Sequence, residues 1–153
     1  HGTESVILRL FNTYGPGEWY HPYRSVNSKF CYHALHGLPV TVYTGHFRTS
    51  TYLEDTCRTI SNIADNFRPG EIYNIGSENR YSNLVIAGLI GNNIEFVEDR
   101  PGHDRMYSIV STKIKELGWE PKIDFTNGLS ETKEWYIKNK IVVLSLVANP
   151  HIK

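Results

Sequence analysis

The segment at residues 99–107 carries two arginines, two aspartates and one histidine within its first seven residues. Pro101 fixes its own φ and restricts the residue before it, and Gly102 permits a tight reversal, so the backbone is expected to be well defined while the side chains project. Two guanidinium groups on such a loop suit a planar, doubly charged group such as a diphosphate. The residues alone leave two interpretations open: an anion-binding loop, or a solvated turn whose charges cancel.

A second group of candidate residues follows the first predicted strand. Residues 6–11 (VILRLF) form a nearly continuous apolar run, the pattern of a strand buried on both faces of a parallel sheet. An amide, a hydroxyl and a phenol follow it at residues 12–14, at the carboxyl end of a strand, where open α/β sheets place their ligands. A plain exit from the strand explains them equally well. Arg48, the only cation of the loop predicted at residues 45–51, is either a solvated residue or an anion contact.

The rest of the pattern alternates helices with short strands, which predicts an α/β fold. Helices are predicted at residues 26–37, from Asp55 as N-cap, and at 84–90, 112–117 and 125–139. Strands are predicted at residues 38–43, 71–76 and 94–97. The last of these strands leads directly into residues 99–107. Residues 141–153 show no clear pattern and are assigned as a tail of unknown structure.

Composition excludes several classes of function. The 153 residues carry 16 basic and 16 acidic side chains, so no global charge favours nucleic acid or a membrane surface. Cys31 and Cys57 have no metal-type spacing, which suits structural thiols in a reducing cytoplasm. The longest apolar run, at residues 141–148, is too short to span a bilayer, and no signal peptide is recognisable. These features predict a cytoplasmic protein without nucleic-acid or membrane partners.

The sequence also lacks the usual catalytic motifs. No glycine-rich dinucleotide or phosphate loop follows a strand, and no Gly-x-Ser-x-Gly, His-Glu-x-x-His or paired-cysteine zinc pattern occurs. Tyr136 and Lys140 have the Tyr-x-x-x-Lys spacing of some dehydrogenases, but Tyr136 lies on the apolar stripe of the last predicted helix, which indicates a core residue. The chain is therefore predicted to hold no catalytic residue and no metal.

Several segments resemble the extended short-chain dehydrogenase/reductases that act on nucleotide sugars. The matching segments are RLFNTYGP at 9–16, YLED at 52–55 and YNIG at 73–76. DRPGHD at 99–104 and KIKELGWEP at 113–121 are similar to the 4,6-dehydratase branch, the enzymes like dTDP-glucose 4,6-dehydratase, and DRPGHD is the most specific to that branch. The resemblance extends over residues 5–139.

This resemblance implies an enzyme that oxidises a nucleotide sugar at C4 with NAD, eliminates water across C5 and C6, and returns the hydride to C6. It implies the last strands of a Rossmann-type parallel sheet plus a small mixed α/β substrate-binding domain, interleaved in residues 1–140. The family's NAD loop and catalytic Tyr-x-x-x-Lys lie upstream of the Arg-Leu-Phe-Asn strand. We therefore expect a substrate-binding fragment without dehydratase activity of its own, with NAD held mainly by a missing N-terminal half, and a homodimer in the full-length protein.

The resemblance assigns substrate-binding roles to six positions: Asn12, Arg24, Arg48, Asn83, Arg100 and His103. Asn12 matches an asparagine that meets the diphosphate near the reacting sugar. Arg48 and Arg100 match two arginines that clamp the diphosphate. Asn83 and His103 match side chains that border the nucleotide end of the cleft.

Two segments depart from the family pattern. The dehydratases usually carry Pro-Glu-Lys-Leu-Ile-Pro where this chain has PYRSVN at 22–27, so Arg24 falls only near the lysine of their base-binding segment. Arg-Asp-Trp, usual before Tyr-Val-Glu-Asp, is replaced by RTST at 48–51. Both changes lie where nucleotide or sugar is recognised. Two alternatives therefore stay open: a nucleotide-sugar 4-epimerase or decarboxylase of the same superfamily, and a non-catalytic nucleotide-sugar-binding module.

Overall fold

A computed structural model describes residues 2–140, and the predicted tail at 141–153 lies outside the described residues. The helices are α1 (Val26–Leu35), α2 (Leu53–Asp65), α3 (Asn83–Ile90), α4 (Thr112–Glu116) and α5 (Phe125–Lys138). The longer strands are β1 (Ile7–Leu10), β3 (Val40–Tyr43), β6 (Ile72–Ile75) and β8 (Ile94–Val97). Two-residue strands are β2 (Thr13–Tyr14), β4 (Phe47–Arg48), β5 (Thr51–Tyr52), β7 (Tyr81–Ser82) and β9 (Met106–Tyr107). The predicted α/β class is confirmed.

Strand pairing is mainly parallel. β1 pairs with β6, β2 with β5 and β3 with β8, all in parallel. β4 lies between β7 and β9, antiparallel to the first and parallel to the second. Because β9 follows residues 99–105 directly, this last pairing brings the arginine-rich segment beside β4 and its Arg48.

The prediction that residues 6–11 form a strand buried on both faces is wrong. The strand forms, as β1, but Ile7 is 55% exposed and Leu10 is 48% exposed. Within residues 2–140, β1 pairs only with β6, so its other edge has no strand neighbour and its apolar side chains have little cover. The composition of β1 suits a more deeply buried environment than these residues provide.

The prediction that Asp55 caps a helix is also wrong. Helix α2 begins two residues earlier, after Tyr52, and Asp55 lies in its first turn, fully buried. Its carboxylate accepts hydrogen bonds from the backbone N–H groups of Lys122 and Ile123, at 3.1 and 3.2 Å, and forms an ion pair with Arg58. Asp55 therefore fastens α2 to the segment that precedes α5.

The segment at residues 45–51, predicted as a loop, contains β4 and the first residue of β5. Strands of two residues leave no periodicity in a sequence, since their pairing depends on neighbours distant in the chain. The same reason explains why β2, β7 and β9 were not predicted.

The core has two parts. The larger packs α1, α3 and α5 around residues such as Phe30, Val42 and Leu129, and the smaller surrounds Ile114 and Trp119. Tyr136 belongs to the larger part and is 1% exposed; its hydroxyl donates to the Glu18 carbonyl at 2.5 Å. The prediction that Tyr136 is a core residue is confirmed. Among the described helices, none is long and apolar enough to cross a membrane.

Candidate functional site

All six residues predicted to bind substrate line one cavity of about 300 Å³. The residues are Asn12, Arg24, Arg48, Asn83, Arg100 and His103. They come from the end of β1, the segment before α1, β4, the start of α3 and the loop before β9. The fold thus brings Asn12 and His103, which are 91 positions apart in the sequence, to the same cavity.

The cavity is strongly cationic. Arg24, Lys29, Arg48 and Arg100 line it, and none of the described residues lining it is acidic. The whole chain has a formal net charge of zero, so this local excess is not a consequence of composition. A concave surface with four positive side chains concentrates the field and favours a ligand with more than one negative charge.

Asn12 occupies a backbone conformation that side-chain-bearing residues rarely adopt. Its φ is +40°, in the left-handed region that asparagine tolerates better than most residues. Its side-chain amide donates to the Thr49 carbonyl at 2.8 Å, and its own carbonyl accepts from the Thr51 N–H at 3.2 Å. These contacts connect the end of β1 to the segment that follows Arg48.

Arg48 is half-buried and held on its protein side by acceptors. Its Nη1 donates to the Phe47 carbonyl at 2.8 Å, and its Nη2 lies 3.2 Å from Nε2 of His103. Burial lowers the pKa of Arg48, and the nearby Asp104 carboxylate opposes part of that shift. Since an arginine stays protonated even so, the result is a positive charge in fixed orientation with reduced hydration.

Asp99 and His46 lie behind Arg48 and His103 and form hydrogen bonds there. His46 was not predicted from the sequence. Asp99 Oδ2 lies 2.9 Å from His46 Nε2, and Asp99 Oδ1 lies 2.9 Å from His103 Nδ1. The hydrogen bond with buried His46, followed by that with His103, lowers the pKa of Asp99. His46 and Asp99 are 53 residues apart and no spacing pattern connects them, so the signal lies only in the folded chain.

The ligand-type atoms of His46, Asp99 and His103 lie within 4.8 Å of one another. The separations of 2.9 Å between nitrogen and oxygen are those of direct hydrogen bonds. Arg48 bonds to His103, and Arg105 Nε lies 3.9 Å from Asp99, so positive groups flank the cluster. A hydrogen-bonded chain explains this cluster better than a cation site.

Asn83 is the first residue of α3 and is 5% exposed. Its Oδ1 is buried and has no hydrogen-bond partner among the described residues. A buried amide oxygen without a partner is costly, and a donor group on a ligand in the cavity would satisfy it. This supports the position of Asn83 at a polar part of the ligand.

The structure adds Lys29, Thr41 and Tyr43 to the lining. Thr41 and Tyr43 alternate along β3 with Val40 and Val42, which are buried on the opposite face. That alternation was visible in the sequence and would have indicated a polar face on this strand. Lys29 lies one turn after the start of α1, and no motif marks it.

The fold is a mainly parallel α/β fold, and its cavity carries four positive side chains. A model of the family described as GDP-mannose 4,6 dehydratase matches residues 1–132, and the chain belongs to this family. This confirms the resemblance to the nucleotide-sugar 4,6-dehydratases within the NAD-dependent epimerases and dehydratases.

Known relatives agree with this membership. The chain is 36% identical over 150 residues to a dTDP-glucose 4,6-dehydratase of Actinoplanes sp., covering 92% of this chain and 46% of that protein. The crystal structure of dTDP-glucose 4,6-dehydratase from Bacillus anthracis in complex with NAD is 34% identical, with a TM-score of 0.75 over 89% of this chain and 45% of that one. The chain thus spans less than half the length of these relatives.

A UDP-glucose 4-epimerase from Thermotoga maritima, solved with UDP-glucose, is similar in fold. Its TM-score is 0.80 at 28% identity, over 91% of this chain and 48% of that one. Dehydratases and epimerases therefore share this architecture, and the fold by itself does not separate the two reactions.

Proposed function

We propose that this chain forms the nucleotide-sugar-binding part of an NAD-dependent nucleotide-sugar 4,6-dehydratase, which converts a nucleotide-bound hexose into its 4-keto-6-deoxy form. The observation that carries the proposal is the convergence of Arg48, Arg100 and His103 on one cationic cavity. Family membership supplies the reaction class. The proposed role of the chain is to bind and orient the substrate, which lowers the barrier by fixing the reacting sugar in place.

A diphosphate fits the cavity chemically. Guanidinium groups donate paired N–H bonds to phosphate oxygens, and Arg48 and Arg100 would each contribute one such group. Asn12 would donate or accept at the sugar end, while Asn83 and His103 would border the nucleotide and Arg24 its base. These roles follow the family's pattern and are part of the proposal.

The location of the cofactor is a further part of the proposal. Within residues 2–140, no strand is followed by a glycine-rich loop that could receive a pyrophosphate at a helix N-terminus. We therefore propose that NAD is held mainly by residues outside this chain, as is the machinery that moves the hydride. The homodimer that the family resemblance implies belongs to the same proposal.

Two measurements test the proposal. Titration of the 153-residue chain with dTDP-glucose should show binding, while incubation of the chain with dTDP-glucose and NAD should give no product. Turnover by the chain alone would show that the chemistry does not need a missing half.

The second measurement is product analysis of the full-length protein that contains this chain. A product lighter than the substrate by one water is the 4-keto-6-deoxy sugar of a dehydratase. A product of unchanged mass with inverted C4 would identify an epimerase. Loss of carbon dioxide from a nucleotide-bound uronic acid, supplied as a second substrate, would identify a decarboxylase. Binding without any reaction in the full-length protein would instead identify a nucleotide-sugar-binding module.

A further inference from the structure

A hydrogen-bonded chain of four side chains ends at the wall of the cavity. His46, buried behind the wall, contacts Asp99, and Asp99 contacts His103, each at 2.9 Å. His103 in turn contacts Arg48 at 3.2 Å. Arg48 and His103 both line the cavity. A ligand that takes the hydrogen bond of Arg48 Nη2 therefore removes the donor that faces His103 Nε2.

The partners of His103 fix the position of its proton. Guanidinium N–H groups can only donate, so Nε2 of His103 accepts from Arg48 and carries no proton. Asp99 has a lowered pKa and is a carboxylate at neutral pH, so it accepts from Nδ1. These two contacts fit a neutral imidazole of His103 with its proton on Nδ1.

The ring of His103 is held against rotation. The Tyr43 ring meets it edge-on, with centroids 4.8 Å apart, and the His46 ring lies 4.1 Å away at a tilt of 32°. Nδ1 is also anchored by Asp99. Nε2 therefore keeps facing Arg48 and the cavity, and a change of partner there changes the protonation of the ring instead of its orientation.

Charged groups of both signs surround His103. The charged and titratable groups around it are Tyr43 from β3, His46 from the following turn, Arg48 from β4, and Asp99, Arg100, Asp104 and Arg105 from its own loop. His46 faces an oxygen acceptor with each ring nitrogen: Nδ1 lies 3.2 Å from the Asp104 carbonyl, and Nε2 lies 2.9 Å from Asp99 Oδ2. The guanidinium groups among them oppose a further positive charge at this position, and an anion in the cavity would offset that opposition.

We propose that binding of the diphosphate is coupled to uptake of one proton by Nε2 of His103. The proposal rests on the proposed function, because it requires a diphosphate beside Arg48. Phosphate oxygens can only accept, so Arg48 Nη2 turns to them and Nε2 of His103 faces an acceptor it can bond to only when protonated. The proton comes from solvent, and no covalent bond forms or breaks.

Asp99 is the positioning residue of this arrangement. It holds His103 through Nδ1 and supplies the negative charge that the imidazolium requires on its protein side. His46 fixes the second carboxylate oxygen, so Asp99 cannot turn towards the cavity and repel the diphosphate. When the ligand binds, His103 thus changes from a neutral acceptor into a second cationic donor beside Arg48.

Calorimetric titration of the 153-residue chain with dTDP-glucose and with UDP-glucose tests the proposal. At about pH 8, above the ordinary pKa of a histidine, titrations are run in buffers of low and high ionisation enthalpy. The expected heat depends on the buffer and corresponds to uptake of up to about one proton, with affinity falling by up to about tenfold for each unit of rising pH.

Three variants assign the proton. His103→Gln retains an N–H donor near the position of Nε2 but does not titrate, so binding should persist with proton uptake abolished. Asp99→Asn retains the shape but loses the charge, so uptake should fall together with affinity. Asp65→Asn, an exposed carboxylate on α2, is the matched control and should change neither. Circular dichroism and thermal melting confirm that each variant folds.

Each other outcome overturns a distinct statement. Binding with a heat that does not depend on the buffer overturns proton coupling alone and leaves the proposed function standing. Uptake that survives in His103→Gln overturns the assignment to this residue. Absence of binding for both nucleotide sugars overturns the proposed function and this inference together.

Discussion

The side-chain amide of Asn12 donates to the carbonyl of Thr49 at 2.8 Å, which ties the end of β1 to the segment just after Arg48. The bond is made from a residue at φ +40°, a conformation that costs most side chains about 1 kcal/mol or more. Asparagine tolerates that conformation and also supplies the amide donor. The contact therefore explains why an asparagine stands at this strand end, independently of any ligand.

We predict that Asn12→Ala lowers the free energy of unfolding by about 2 kcal/mol, since it loses a hydrogen bond worth about 1 kcal/mol and adds a comparable backbone cost. Asn12→Gly loses the bond but suits the positive φ, so its loss should be about half as large. Urea denaturation of the two variants measures the difference. Equal losses would show that the backbone conformation carries no cost here.

We predict that Asp55→Ala is strongly destabilising. The substitution leaves the backbone N–H groups of Lys122 and Ile123 without their acceptor and Arg58 without its partner. Each of the two backbone donors loses a hydrogen bond to a charged group, worth about 1.5–3 kcal/mol, so urea denaturation should show a loss of about 3–5 kcal/mol. Asp65→Ala, at an exposed position of the same helix, should change stability by less than about 0.5 kcal/mol.

Two glycines within helices make opposite predictions. A methyl group on Gly128 would lie 2.5 Å from the Tyr14 hydroxyl and 2.7 Å from Tyr52 Cδ2, whereas one on Gly88 would meet nothing within 4 Å. Gly128→Ala should therefore destabilise by about 1–3 kcal/mol through overpacking. Gly88→Ala should stabilise by about 0.5–1 kcal/mol, because alanine loses less backbone entropy in a helix. Thermal melting distinguishes the two, and a destabilised Gly88→Ala would contradict the open space around α3.

The elements that the sequence predicted well are those with a local cause. β8 at Ile94–Val97 and α5 from Phe125 follow from side-chain periodicity and from an Asp124 cap whose carboxylate accepts from the Thr126 N–H at 2.9 Å. β4 and β9 could not be predicted because strands of two residues depend on their partners: β4 pairs with β7 and β9, and the paired residues of β4 and β9 are 59 positions apart in the chain. The exposure of β1 could not be predicted either. An apolar strand is suited to burial, but its sequence does not show whether other elements pack over it.

The same distinction between local patterns and contacts of distant residues applies to the candidate site. Arg48, Arg100 and His103 could be named because a family pattern marks them, and the structure brings them to one cavity. His46 lies in none of the segments that match the family pattern, and its contact with Asp99 spans 53 residues. Contacts of this kind form only when β4 and β9 pair. The hydrogen-bonded residues behind the cavity therefore could not be predicted from the sequence.

We predict that the two cysteines differ in reactivity. Burial raises the pKa of the Cys31 thiol to about 12, so the thiolate that reacts is scarce at neutral pH, and the sulfur is also covered. Cys57 is exposed. Iodoacetamide should modify Cys57 in the folded chain and both residues in urea, as read by mass spectrometry of tryptic peptides. Modification of Cys31 at the same rate as Cys57 in the folded chain would contradict the packing of α1.

The two arginines of residues 99–107 provide the sharpest test of the cavity. Arg100 lines it, whereas Arg105 does not and has a side chain that is 81% exposed. Arg100→Ala should weaken dTDP-glucose binding by about 1.5–3 kcal/mol, the range for hydrogen bonds to charged groups. Arg105→Ala removes the same charge from the same loop and should leave the affinity nearly unchanged, since exposed charges are screened by water and salt. Titration calorimetry compares the two. Equal weakening would mean that the segment acts through its total charge, and no weakening in either variant would make Arg100 a solvated turn residue.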